Sequence, residues 1–246
     1  MAIHIQPRDI RIMRQVYTFR VMTYDQVRRK FFADCYETVA RNRLQKLIKY
    51  GYFKSFGMEI RGTIVRCLRL TEKAWPIISE KWSFHVDCPH FKSESIEHDV
   101  RLGEVILKFE RLDLFERYFS ENILQSSSTL KQDPVFSDSV NLQSDGVLVV
   151  KSLQGGSVVY AIEFEISKKA PDRYNRKLSS YYQANGLDGL LYICGNQEIV
   201  EAITQADRRV CTEGDSILYF ATELSVLKSE DRIIFKGVDG GGIGLN

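Results

Sequence analysis

The chain has 246 residues, 44% hydrophobic and 27% charged, which suits a globular protein with a packed core and excludes a disordered or fibrous one. No run approaches the ~20 apolar residues of a membrane span, and Arg8, Asp9 and Arg11 interrupt the start where a secretory segment would be apolar, so a cytoplasmic protein without a membrane partner is expected. The net charge of +2 conceals a division: residues 1–85 hold 17 Lys+Arg and 7 Asp+Glu, the remainder 17 and 25, so a basic segment precedes an acidic one.

Apolar Ile12, Val16 and Phe19 recur at helical spacing and predict a first helix from Arg8 to about Phe19. Thr23 is placed to cap a second, Tyr24 to Phe31, with Val27 and Phe31 facing inward. A third runs from about Tyr36 to Tyr50 and ends at Gly51. Val39, Leu44, Leu47 and Ile48 form its apolar stripe, and Arg41, Arg43, Lys46 and Lys49 lie mainly off it. Two β-prone stretches follow, Tyr52–Glu59 and Thr63–Leu70, with Arg61-Gly62 as the turn. Thr71 then opens another helix.

A basic helix followed by a basic hairpin fits duplex DNA physically. A helix fills the major groove, its cations meet phosphates, and a few side chains reach base edges. Arg41, Arg43, Lys46 and Lys49 on the helix and Arg61 and Arg66 on the hairpin are the candidate DNA contacts. The pattern RNRLQKLIKYGYFKS…LRLTEKAW resembles the recognition helix, wing and following helix of bacterial and plasmid winged helix-turn-helix modules. Residues 1–82 are accordingly expected to form such a domain.

Residues 83–94 are expected as a linker. His85, Cys88, His90 and His98 fall close together there, but with one thiolate and no recognised ligand spacing. Loop and core histidines are the expectation, and the His98-Asp99 doublet lacks the further partners of a phosphohydrolase. Cys35, Cys67, Cys88, Cys194 and Cys211 form no CxxC pair and are expected as reduced thiols.

Residues 95–236 predict a mixed α/β domain. An amphipathic helix from Glu94 to Leu114 comes first, then a strand near Arg117 to Leu124 and a polar loop to about Gln143. Asp145 heads an apolar strand, Val147 to Val150, and Gln154 to Ser157 turns into VVYAIEFEI, Val158 to Ile166. Then follow a helix containing Arg176, Lys177, Tyr181 and Tyr182, a buried strand Gly189–Cys194, a helix from Gln197 to about Arg209, and a strand Ile217–Ala221. Residues 237–246, with their glycine run, are expected as a flexible tail.

Alternation along VVYAIEFEI places Glu163 and Glu165 on one face of a core strand. Two such carboxylates resist burial unless something neutralises them, and with Asp145 they form an acidic cluster suited to Mg²⁺ and a phosphate. These features, SDGVLVV, AIEFEIS and RKLSSYY, resemble the PD-(D/E)XK nuclease fold. With the N-terminal module in front, the chain resembles the replication-relaxation family of plasmid and mobile-element proteins. That resemblance implies an α+β chain with Asp145 and Glu163 as metal ligands. It also implies a lysine at 165, where this chain has Glu165. Lys177 is the candidate to reach back into the site, Lys168 lies past the strand end, and Glu97 or Glu104 is placed to add a ligand.

The expected function is therefore sequence-directed binding of double-stranded DNA, in replication, transfer or regulation of a mobile element. The partner of the second domain is expected to be a second copy or another protein of the element. The alternatives are a Mg²⁺-dependent endonuclease using Asp145, Glu163, Glu165 and Lys177, and a winged-helix transcription regulator.

Overall fold

The computed structural model describes residues 3–80, 82, 86–87, 89–211 and 216–246. The fold is α+β, and the chain divides into two compact units, Met1–Gly103 and Glu104–Asn246.

In the first unit, α1 (Pro7–Thr18) begins on a proline, whose missing N–H costs nothing in a first turn. Asp9 turns back to accept the Gln6 N–H at 2.7 Å, and Ile12, Met13 and Val16 are buried. A short strand that the sequence does not announce, β1 (Val21–Thr23), leads into α2 (Tyr24–Phe31). The Thr23 hydroxyl accepts from Gln26 N at 3.1 Å while the Gln26 side chain accepts from Thr23 N at 2.8 Å, so each satisfies an orphan donor of the other. Helix α3 (Glu37–Lys49) buries Ala40, Leu44 and Leu47. Gly51 follows it at φ +78°, the left-handed position that ends helices.

Strands β2 (Phe53–Ile60) and β3 (Thr63–Leu70) pair antiparallel around Arg61 and Gly62, both at positive φ, the geometry of a two-residue hairpin turn. The sheet order is β1-β3-β2. Past Leu70 the chain forms a 3-10 turn, Glu72–Ala74, and a short α4 (Trp75–Ser79) instead of one longer helix. Thr71 does not cap it; its hydroxyl donates to the Gly51 carbonyl at 2.6 Å and ties the end of β3 to the end of α3. In the described part of the expected linker Val86 is buried and Phe91 half-buried, whereas Asp87, His90, Lys92 and Glu94 are exposed. Phe91 joins Trp82, Tyr17 and Trp75 in an aromatic cluster, at centroid separations of 5.7 Å (Tyr17–Phe91) and 5.1 Å (Tyr17–Trp82). His85 and Cys88 lie outside the described residues.

Helix α5 (Ile96–Phe109) is shorter than its pattern suggests. In the second unit, β4 (Phe115–Ser120) stops where α6 (Glu121–Ser126) begins, and α7 (Ser128–Gln132) and α8 (Ser137–Asn141) occupy the expected polar loop. Asn122, Ile123 and Leu124 are buried together, a helical rather than an alternating pattern.

Strands β5 (Gly146–Lys151) and β6 (Ser157–Glu165) form the expected hairpin. Crossover helices α9 (Pro171–Tyr182) and α10 (Gln197–Val210) connect β6 to β7 (Gly189–Cys194) and β7 to β8 (Leu218–Thr222), both parallel pairs. A short α11 (Glu223–Lys228) precedes β9 (Ile233–Gly237) and β10 (Gly242–Leu245), and the sheet order is β10-β9-β8-β7-β6-β5-β4. Residues 237–246 are thus not a free tail. Gly240 at φ +91° turns the chain, and Leu245 is buried opposite Ile233 on the antiparallel partner.

Candidate functional site

Strand β6 lies in the interior of the sheet, and α9 covers one of its faces. Ala161 on that face packs with Tyr174, Leu178 and Tyr181 of α9. The same alternation turns Glu163 inward, where only 6% of it remains exposed. Lys177 and Tyr181, one helical turn apart, both reach its Oε1. The Lys177 Nζ is at 3.0 Å and the Tyr181 hydroxyl donates a short hydrogen bond. The Ser144 and Tyr181 hydroxyls are 2.6 Å apart and buried, extending the network to the start of β5. Asp145 Oδ2 accepts the Phe164 N–H at 2.7 Å, which fastens the head of β5 to β6.

Three of the predicted residues therefore converge: Asp145, Glu163 and Lys177. Glu165 does not join them. It is half-buried two residues further on and pairs with Lys169 at 3.3 Å. Glu97 is engaged by Arg101 at 2.9 Å within its own helix. The sequence did not single out Tyr181 and Ser144 as partners of Glu163. The four-residue step from Lys177 to Tyr181 was the available signal, because it puts both side chains on one helix face.

Burial pushes the Glu163 carboxyl up to about 8, with Lys177 and the Tyr181 hydroxyl pulling down and Asp145 pushing further up. Desolvation outweighs the ammonium, so near neutral pH the acid form dominates. The Tyr181 phenol is raised well above its ordinary range by burial and by Glu163. Mg²⁺ takes oxygen ligands with free lone pairs; Glu163 Oε1 already takes the Tyr181 hydroxyl and the Lys177 ammonium. Among the described residues, no group of three or more His, Cys, Asp or Glu side chains is gathered to hold a metal ion.

The basic face of the first unit is built by α3 and the β2–β3 hairpin. Lys46 and Lys49 are exposed on α3, and Arg41 is 54% exposed in an i, i+4 pair with Glu37. Such a surface pair is worth less than ~1 kcal/mol and exchanges readily for a phosphate. Arg61 is exposed at the hairpin turn, and Arg66 is exposed on β3 with its Nε at 2.8 Å from the Ser55 hydroxyl.

Arg43 is different. Its Nε donates to Asp9 Oδ1 at 2.9 Å and its Nη2 donates to Asp9 Oδ2 and, at 2.7 Å, to the His4 carbonyl, while Asp9 is completely buried. Arg43 thus holds α1 to α3 and does not stand ready for a phosphate. Val39, expected in the core, is 45% exposed, beside Tyr36 at 86%, and Ile64 on the hairpin is 80% exposed. Large apolar groups at the start of a basic helix and on its neighbouring hairpin are suited to thymine methyls.

Compared with family models, curated proteins and solved structures, the chain finds no match. Among the described residues no helix is long and apolar enough to cross a membrane.

Proposed function

We propose that the protein binds double-stranded DNA through its first unit, acting as a winged helix-turn-helix module in the replication, transfer or regulation of a plasmid or mobile element. The observation that carries this reading is the solvent-facing row Arg41, Lys46 and Lys49 on α3, next in sequence to a hairpin bearing Arg61 and Arg66. The helix, helix, helix, hairpin order supports the winged-helix assignment, and the resemblance to the replication-relaxation family supports the setting. In this reading α3 enters the major groove and the hairpin lies along the neighbouring backbone. The second unit is a nuclease-like scaffold whose Glu163 is held by Lys177 and Tyr181, and it pairs with a second copy or with another protein of the element.

Fluorescence anisotropy with labelled duplexes tests this directly. Affinity should fall steeply as salt rises, by about 0.9 in log–log slope for each phosphate neutralised. Absence of duplex binding at low salt contradicts the proposal.

The second reading, a metal-dependent endonuclease, is favoured by one observation: the Lys177 Nζ at 3.0 Å from Glu163 Oε1, in place of the lysine that the nuclease pattern carries at position 165. Incubation with supercoiled plasmid in Mg²⁺ or Mn²⁺ decides it. Nicking by the wild type that is lost in Glu163→Ala supports cleavage. Intact plasmid with retarded mobility supports binding alone.

A further inference from the structure

The first unit contains a concavity that the duplex reading does not use. It is an open cavity of about 570 Å³ between the base of the hairpin, the turn after it and the segment around Pro89 to Lys92. Lys54, Arg69, Lys73 and Lys92 line it from three separate segments, with His90 beside them and Glu72 as the one acidic lining residue. Among the described residues, Lys54, Arg69 and Lys92 have no ion-pair partner.

Two of these cations face each other by construction. Lys54 on β2 is the direct cross-strand partner of Arg69 on β3, and like charges opposite each other destabilise a hairpin. Lys73 is fixed at the rim, its ammonium donating to the Tyr50 carbonyl at 2.7 Å and lying 5.0 Å from the centre of the Tyr52 ring. Leu70, Pro89 and Phe91 give the same cavity an apolar side. Its size is that of a small-molecule site rather than of a groove for a duplex.

We infer that this cavity is a binding site for a small phosphorylated molecule, with Lys54, Arg69 and Lys92 on the phosphate and Leu70 and Phe91 against an apolar or aromatic body. Arg69 lies over the Phe56 ring, 6.0 Å from its centroid, and a dianion in the cavity relieves its repulsion with Lys54. The arginine supplies the forked donor geometry that phosphate oxygens accept in pairs.

The test uses the full chain and adenosine monophosphate, inorganic phosphate and adenosine as probes. Phe91 rests 6.1 Å from Trp75, so tryptophan fluorescence reports occupancy. Saturable change with the monophosphate, a weaker one with inorganic phosphate and none with adenosine are expected. In the Arg69→Gln, Lys92→Gln double variant, affinity for the monophosphate should fall at least about tenfold. Its thermal midpoint without ligand should stay equal or rise, because a repulsion has been removed; this separates loss of the site from loss of the fold.

The inference is overturned if the wild type responds to neither phosphate compound, or if the double variant binds the monophosphate as the wild type does. It is also overturned if the variant weakens duplex binding while the wild type ignores the monophosphate, since these cations then belong to the DNA footprint.

Discussion

Arg43 and Glu163 show how much a residue's role depends on a partner far away in sequence. Arg43 sits among Arg41, Lys46 and Lys49 on one helix, and nothing local separates it from them. Its partner Asp9 is 34 residues earlier. Removing one member of a buried ion pair leaves the other uncompensated, at a cost of about 3–5 kcal/mol. Asp9→Ala and Arg43→Ala should therefore lower the thermal midpoint markedly. Lys46→Ala and Lys49→Ala should leave it nearly unchanged while weakening duplex binding. Equal midpoints across the four variants, measured by circular dichroism, contradict the distinction.

Glu163 yields a pH prediction. Its native carboxyl is raised to about 8, against an ordinary value of 4.5 in the unfolded chain. Between those values the native state binds more protons. The stability that this carboxyl adds is therefore complete below the ordinary carboxylate range and is lost as pH rises through about 8. Urea melts from pH 5 to 9 should show a downward slope in the wild type that Glu163→Gln removes. Parallel pH profiles for the two proteins contradict the buried acid. The strand alternation put Glu163 and Glu165 on one face, and only Glu163 meets Asp145 and Lys177; Glu165 pairs with Lys169 instead. The closure of the cluster by Tyr181 and Ser144 was not legible, because that depends on where α9 lies over the sheet.

At the scale of elements, the parts read correctly were those with strong local chemistry. Thr23 before α2, Gly51 after α3 and Arg61-Gly62 between strands each fix a boundary through capping or positive φ. The elements that were missed lack such marks. Strand β1 is three residues long and exists because β3 pairs with it. Strand β10 is glycine-rich, and its pairing with β9 and the burial of Leu245 override its weak propensity. Deleting residues 242–246 uncovers β9 and its buried Ile233 and Phe235, so this truncation should lower stability and increase binding of a hydrophobic dye; unchanged melting contradicts the role of β10.

Gly146, first residue of β5, is a second element-scale case. A Cβ there would collide with the Tyr118 ring, whose hydroxyl donates to the Asp145 carbonyl at 3.0 Å. Gly146→Ala must displace that ring from the head of the acidic hairpin. A loss of about 1–3 kcal/mol is expected from such overpacking, and a neutral result in chemical denaturation contradicts the close approach.

For the whole molecule, charge division was the most informative property of the sequence. A basic first segment and an acidic remainder correspond to two units with different chemistry: exposed cations on α3 and the hairpin in one, a closed carboxyl–ammonium–phenol network in the other. The α+β class was legible from the order of elements. The division at Gly103–Glu104 was not, because α5 gives no compositional break and Phe91, from the expected linker, packs against Tyr17 and Trp75.

Duplex binding by α3 and the hairpin is measured most directly by anisotropy of a labelled duplex titrated at several salt concentrations with wild type and the Lys46→Ala, Lys49→Ala double variant. The wild type should bind with a steep salt slope. The double variant should show weaker binding and a slope shallower by about two phosphates' worth, with both proteins melting alike. Binding that is absent, independent of salt, or identical in the two proteins would contradict duplex binding by α3 and the hairpin.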